Sequence, residues 1–201
     1  MTMLPEKLKD YQVILASQSP RRQHLLSGLG ISFDVITNHD LEETYPEGLS
    51  KEEIPVYLAR LKAGAVIPDL KDKTLLITAD TIVWLNGEVV NKPVNHADAV
   101  RILNSLSGNM HEVITGVCLT LNGRQHTFHA STLVYFAELD EREIKYYVKN
   151  WKPFDKAGAY GIQEWIGYIG IERIEGSYFN VMGLPVQKLY HELIAFLNNK
   201  P

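Results

Sequence analysis

One cysteine, Cys118, stands in a chain of 201 residues. A lone thiol cannot close an internal disulfide, so the sequence points to a reducing compartment. No apolar run approaches the roughly 20 residues that a membrane-spanning helix needs. Met1 to Asp10 also lack the apolar core of a secretion signal. The cytoplasm is therefore the expected location, with no membrane partner. Positive charge is in short supply too: 20 Lys and Arg face 24 Asp and Glu, for a net charge of −4. That excludes a global basic field for nucleic acid. Internal repeats and low-complexity tracts are missing. What remains is an ordinary globular composition, long enough for one large domain or two small lobes around a sizeable core.

What is there is organised around Leu15-Ala16-Ser17-Gln18-Ser19-Pro20-Arg21-Arg22. Val13-Ile14-Leu15 reads as a buried strand, and Leu25, Leu26 and Leu29 follow at helical spacing, closed by Gly28 and Gly30. The stretch is a strand-to-helix junction, with Ser19 as N-cap and Pro20 in the first helical position. Arg21 and Arg22 then fall in the first turn, where the helix dipole disfavours cations by about 0.3–1 kcal/mol each. An anion bound there would reverse that sign, met by backbone N–H groups, a Ser hydroxyl and two guanidinium forks. Two arginines on a solvated face are the competing reading. Since the dipole disfavours them, removing either is expected to cost little fold stability.

Along the chain, Ser32 to Thr37 reads as a second strand and 38–49 as an acidic loop, with Asp40, Glu42, Glu43 and Glu47 most simply explained as solvated. Ser50 and Glu53 resemble a capping box for a helix carried by Ile54, Tyr57, Leu58, Leu61 and Ala65. Pro55 sits awkwardly inside it and delays its start. Lys62 beside the apolar stripe is, taken alone, a snorkelling surface lysine. Leu75 to Leu85 reads as strand, interrupted by Asp80. A carboxylate there is costly unless paired, hydrogen-bonded or metal-bound, or else it marks an Asx-type bulge. Asn86-Gly87 and Asn122-Gly123 are two-residue hairpin turns. Asn95 caps a helix to about Leu106 with Ala99, Ile102, Leu103 and Leu106 inward. Val113 to Leu121 and Thr127 to Phe136 are strands, and Asp140 with Glu143 starts a helix through Val148. His126 and His129 point to opposite sides of their strand, and with His111 read as surface or packing residues. Asp155 to Gln163 is a glycine-bearing loop, suited to a close-approaching ligand or to an ordinary surface. A strand is expected near Tyr168–Ile174, and Leu184-Pro185 opens a last helix through Val186, Leu189, Leu193 and Leu197.

Six stretches together resemble the Maf family of nucleoside triphosphate pyrophosphatases. They are Ser17 to Arg22; Ala79-Asp80-Thr81-Ile82-Val83; Asn91-Lys92-Pro93; Ser107-Gly108 through His111 to Thr115-Gly116-Val117; Asp155 to Gln163; and Gly176-Ser177-Tyr178 to Gly183-Leu184-Pro185. They span nearly the whole chain in family order, and the dTTP/UTP subgroup is the most similar. The resemblance implies a single domain over residues 1–201 with an α/β fold of the Maf and inosine triphosphatase-like kind. In that fold an elongated mixed sheet is flanked by helices, with two lobes around a deep cleft. It implies hydrolysis between the α- and β-phosphates to a nucleoside monophosphate and pyrophosphate, with a divalent cation, Mg²⁺ or Mn²⁺, and an enzyme that can form a homodimer. Carried over residue by residue, Ser19, Arg21, Arg22, Lys62 and Lys92 bind phosphate, while Arg21, Thr81 and Gln163 bear on substrate choice. Asp80 is proton acceptor or metal ligand, and Glu43, with Glu42 kept open, is the second acidic ligand. The residues before the first strand are not part of the family pattern.

The chemistry of these residues agrees with that list. A triphosphate carries about three to four negative charges and needs cations from several elements. A hard cation needs oxygen ligands, and an attacking water needs a proton acceptor. The rival readings are a pyrophosphatase for purine or modified nucleotides, a nucleotide-binding regulator of septum formation, and a nucleic-acid binder, which the charge argues against.

Overall fold

The structure, a computed structural model, describes residues 3–37, 41–67 and 70–199. Its strands are β1 (Gln12–Ala16), β2 (Asp34–Ile36), β3 (Thr74–Leu85), β4 (Glu88–Val90), β5 (Met110–Leu121), β6 (Arg124–Phe136) and β7 (Ile171–Glu175). The helices are α1 (Leu4–Lys7), α2 (Pro20–Ser27), α3 (Glu53–Val66), α4 (His96–Leu106), α5 (Glu141–Trp151), α6 (Trp165–Gly170), α7 (Tyr178–Met182) and α8 (Val186–Asn198). The seven strands form one mixed sheet in the order β2-β1-β3-β5-β6-β7, with β4 attached to β3. β1 pairs in parallel with both β2 and β3, in the register Leu15–Val35 and Leu15–Ile77. β3–β4 and β6–β7 are antiparallel.

The chain divides into two compact units. The first comprises Met1–Asp80, Thr115–Ala130 and Gly183–Pro201; the second comprises Thr81–Ile114 and Ser131–Met182. In the first, one core cluster joins Ile14, Leu76 and Cys118 on the sheet to Ala59, Ala63 and Val66 on α3. The alanines let the helix lie close. Thr78 Oγ1 donates to the Ala59 carbonyl at 2.7 Å, which ties α3 to β3. At Gly116 the backbones come closer still: a Cβ there would stand 2.3 Å from the Pro55 carbonyl carbon and 2.4 Å from Val56 N. In the second unit the core gathers Ile102, Leu103 and Leu106 of α4, Ile144, Tyr147 and Val148 of α5, and Tyr160 and Ile162 of the following loop.

Local signals place most of these elements. Asn95 Oδ1 accepts from Asp98 N, and Asp140 with Glu143 forms the full reciprocal capping box. Asn86 and Gly87 both take positive φ (52° and 89°), as do Asn122 and Gly123 (50° and 77°), which is the backbone a two-residue hairpin requires. Pro55 is the third residue of α3, so its missing N–H falls in the first turn, where no intrahelical acceptor exists.

Two expectations shift. Tyr168 to Gly170 belong to α6, and the strand begins only at Ile171. β5 starts at Met110 and β6 at Arg124, each three residues before the apolar pattern declares it. The segment before β1, outside the family pattern, forms α1 and packs on α8 with Leu4 fully buried. Asp40 lies outside the described residues. His126 shares a 2.7 Å hydrogen bond with Glu192 and stacks on Phe196, so it is a packing residue.

The contact at Gly116 gives a direct test. Gly116→Ala puts a methyl group into backbone that cannot swing aside, so it should cost at least the roughly 1–3 kcal/mol of overpacking. Thermal unfolding should show a midpoint several degrees lower, at about 2–4 °C per kcal/mol for a chain of this size. An unchanged midpoint would refute the close approach.

Candidate active site

The junction after β1 is built as its residues suggest, with one difference. Ser19 is the N-cap, in extended backbone, with Pro20 at the first helical position, yet its side chain makes no capping bond. Instead Ser19 N donates to Ser17 Oγ at 3.2 Å, and Gln23 Nε2 donates to the Ser17 carbonyl at 3.3 Å. Ser17 therefore shapes the turn and leaves the Ser19 hydroxyl out of the cap. α2 has no acidic residue in its first turn. Arg21 and Arg22 follow, both half-buried.

Arg22 Nε donates to the Gly183 carbonyl at 2.8 Å, which fixes its guanidinium. Burial pushes the Arg22 guanidinium below its ordinary value, Asp80 opposes that shift, Arg21 adds to it and Glu43 opposes it. Asp80, Arg21 and Glu43 thus all lie within electrostatic reach of Arg22.

Between the carboxylates stands Lys62. Its Nζ lies 2.5 Å from Asp80 Oδ1 and 2.9 Å from Glu43 Oε1. The Asp80 side chain is only 9% exposed, Lys62 is 18% and Glu43 is 41%. Lys62 is therefore an internal bridge, not a snorkelling surface residue. Glu43 does more than solvate its loop, while Glu42 and Glu47 are exposed on it. β3 runs continuously through Asp80. Geometry explains the meeting. Thr78 and Asp80 point to one face of β3, two residues apart, and Ala59 and Lys62 lie one turn apart on α3. The Thr78–Ala59 bond and the Lys62–Asp80 bond are successive rungs of one seam.

Thr81, Lys92 and Gln163 belong to the second unit. Thr81 is half-buried and, next after Asp80 on β3, faces the opposite side. Lys92 is exposed in the extended segment after β4. Gln163 lies in a tight turn closed by Glu164 N donating to the Gly161 carbonyl at 2.9 Å. Its Oε1 is buried and has no hydrogen-bond partner among the described residues.

Several buried polar groups escaped the sequence reading. Asn180 Nδ2 donates to the Val113 carbonyl at 3.0 Å and to Thr132 Oγ1 at 3.1 Å. His111 and Tyr160 share a 2.7 Å hydrogen bond, and burial pushes the His111 imidazole down to about 4, so it is neutral at pH 7. The motif stretches contained both residues, but nothing local marks them as partners.

Among the described residues no three or more His, Cys, Asp or Glu side chains gather into a metal cage. The Asp80–Glu43 pair still suits a magnesium-like ion, which is commonly held by one or two carboxylates with substrate phosphates and water completing the shell. Both carboxylates already converge on one cationic centre, the Lys62 ammonium.

An arginine-bearing strand-to-helix junction, with a lysine that bridges two carboxylates in the electrostatic field of Arg22, is the candidate site of this α/β protein. The chain belongs to the Maf-like protein family, whose model matches residues 12–196. It is 60% identical over 188 residues to a protein named dTTP/UTP pyrophosphatase in Phocaeicola vulgatus, covering 94% of this chain and 97% of that one. Relatives with the same name in Parabacteroides distasonis (54%, covering 95% of this chain and 99% of the relative) and Porphyromonas gingivalis (52%, 95% and 97%) are similar over comparable lengths. A solved HAM1 protein from Coxiella burnetii superposes with a TM-score of 0.49 at 18% identity, covering 92% of this chain and 99% of that one, a likeness too distant to build on.

The Arg22 anchor is testable in the unliganded protein. Arg22→Ala removes a charged hydrogen bond to Gly183 and should cost about 1.5–3 kcal/mol. Urea unfolding of the variant checks this, and an unchanged stability would refute the anchoring role of Arg22.

Proposed function

We propose that this chain hydrolyses dTTP and UTP, and modified pyrimidine nucleotides of like shape, to the nucleoside monophosphate and pyrophosphate. The observation that carries the chemistry is the Asp80–Lys62–Glu43 cluster within electrostatic reach of Arg22. The substrate reading is supported by relatives 52–60% identical over nearly their full length that bear the name dTTP/UTP pyrophosphatase.

In this reading Ser19, Arg21, Arg22, Lys62 and Lys92 hold the phosphates, and the guanidinium forks match phosphate oxygens bidentately. Water attacks the α-phosphorus, the α–β bridging oxygen leaves with pyrophosphate, and Asp80 accepts the proton that the water loses. A divalent cation, Mg²⁺ or Mn²⁺, held by Asp80 and Glu43 would supply charge neutralisation and a more acidic water. Base choice falls to Gln163 with Thr81 and Arg21. The uracil or thymine edge offers an N3–H donor beside the O4 acceptor, and a Gln amide offers the complementary pair. The orphaned Gln163 Oε1 is an acceptor that N3–H would satisfy. A lone, buried thiol at Cys118 suits a reducing compartment such as the cytoplasm. Among the described residues no helix is long and apolar enough to cross a membrane.

With dTTP and Mg²⁺, pyrophosphate should appear in equal amount with dTMP, and EDTA should stop the reaction. Orthophosphate with dTDP as products would overturn the assignment. Asp80→Asn keeps the side-chain shape and removes its charge, so turnover should fall by at least the roughly 100-fold typical of a lost general base. Near-parental turnover in a folded Asp80→Asn protein would return Asp80 to a structural role.

A further inference from the structure

An amide selects a base only if it cannot flip. Gln163 occupies the third position of the four-residue turn Gly161–Glu164, and that turn is tied at both ends to one hydroxyl. Gly161 N donates to Tyr147 Oη at 3.1 Å, and Tyr147 Oη donates to Glu164 Oε2. The other Glu164 oxygen lies 3.1 Å from Lys156 Nζ, which also meets Asp155 at 2.7 Å. Tyr147 is wholly buried and Lys156 is 8% exposed. The Tyr147 ring is itself immobilised: it stacks on Trp151 at 5.6 Å, and Trp151 stacks on Trp165, the residue directly after Glu164. Gly161 completes the arrangement. A Cβ there would stand 3.0 Å from Gln163 Nε2 and 2.7 Å from Glu164 Cδ, so both side chains fold over a position that must lack one.

We propose that Tyr147 and Glu164 are positioning residues for base selection, clamping the Gly161–Glu164 turn so that the Gln163 amide presents one fixed donor–acceptor order. The proposal rests on the reading of Gln163 as the base-selecting residue. The clamp touches no substrate itself. Its elements come from α5, from the loop before α6 and from the core, so the rigidity of the second unit is transmitted to a single amide. A buried phenol donating to a carboxylate that also meets an ammonium leaves every member of the network partnered. Removing one hydroxyl orphans both Gly161 N and Glu164 Oε2.

The test is Tyr147→Phe, alone and combined with Gln163→Ala. Two quantities are measured: the dTTP/CTP ratio of kcat/KM, and amide hydrogen exchange at residues 161–164 without nucleotide. Tyr147→Phe should speed exchange in the turn. It should also lower the dTTP/CTP ratio by roughly five-fold, the equivalent of one ordinary hydrogen bond, with no further fall once Gln163 is already Ala. A ratio unchanged by Tyr147→Phe but lowered by Gln163→Ala would overturn the clamp and leave Gln163 as selector. An equal fall from Tyr147→Phe in both backgrounds would also overturn it, because the effect would not pass through Gln163. A ratio unchanged by Gln163→Ala itself would instead refute the reading of Gln163, and the proposal with it. Should Tyr147→Phe fail to fold, Glu164→Gln keeps the side-chain shape, removes its charge opposite Lys156 and carries the same expectations and refutations.

Discussion

Everything in the first unit that bears on chemistry depends on how closely α3 lies against β3 and β5. Ala59 and Ala63 keep the helix surface low, Gly116 removes the last obstacle on the sheet, and the Thr78 hydroxyl locks the axial position of the helix. Once that position is set, Lys62 has little choice: one turn beyond Ala59 its ammonium arrives over Asp80. A burial-driven seam of small residues thus places an ion pair that would be expensive to bury by itself. Glu43 completes the group from a loop on which Glu42 and Glu47 are exposed.

The cluster also shows how surroundings give one side chain two roles. Arg22 sits where the helix dipole disfavours a cation. It is recovered by a carbonyl and by the field of two carboxylates, so it belongs to the architecture as well as to any ligand. The expectation that it could be removed at little cost does not allow for that anchor.

Much of the fold was legible because its signals are local. Asn95, Asp140 with Glu143, the two Asn-Gly turns and the spacing of Ala99, Ile102, Leu103 and Leu106 each declare an element with no help from the rest of the chain. What stayed hidden depends on distant partners. Tyr168 to Gly170 look like strand because Tyr and Ile favour sheets, yet they complete a helix. Met110 and Arg124 extend strands past the point where the apolar pattern stops, because sheet pairing outlasts burial. In the candidate site, the residues of the strand-to-helix junction and Asp80 could be singled out from pattern and cost alone. Lys62 could not, since a lysine beside an apolar stripe looks the same whether its ammonium meets water or two carboxylates. Tyr147 was invisible for the same reason: α5 announces itself as a helix, but nothing in its periodicity says that one phenol reaches a turn 14 residues later.

The Lys62 bridge has an electrostatic consequence. Arg21, Arg22 and Lys62 against Glu43 and Asp80 make three positive charges and two negative, a local excess of +1 in a protein whose net charge is −4. At physiological ionic strength a field decays over about 8 Å. An anion beyond that range meets the net negative charge of the chain. One that has come within a few ångströms of α2 meets the reversed sign. Distance alone, through the range of a screened field, decides which sign is felt before any hydrogen bond is made.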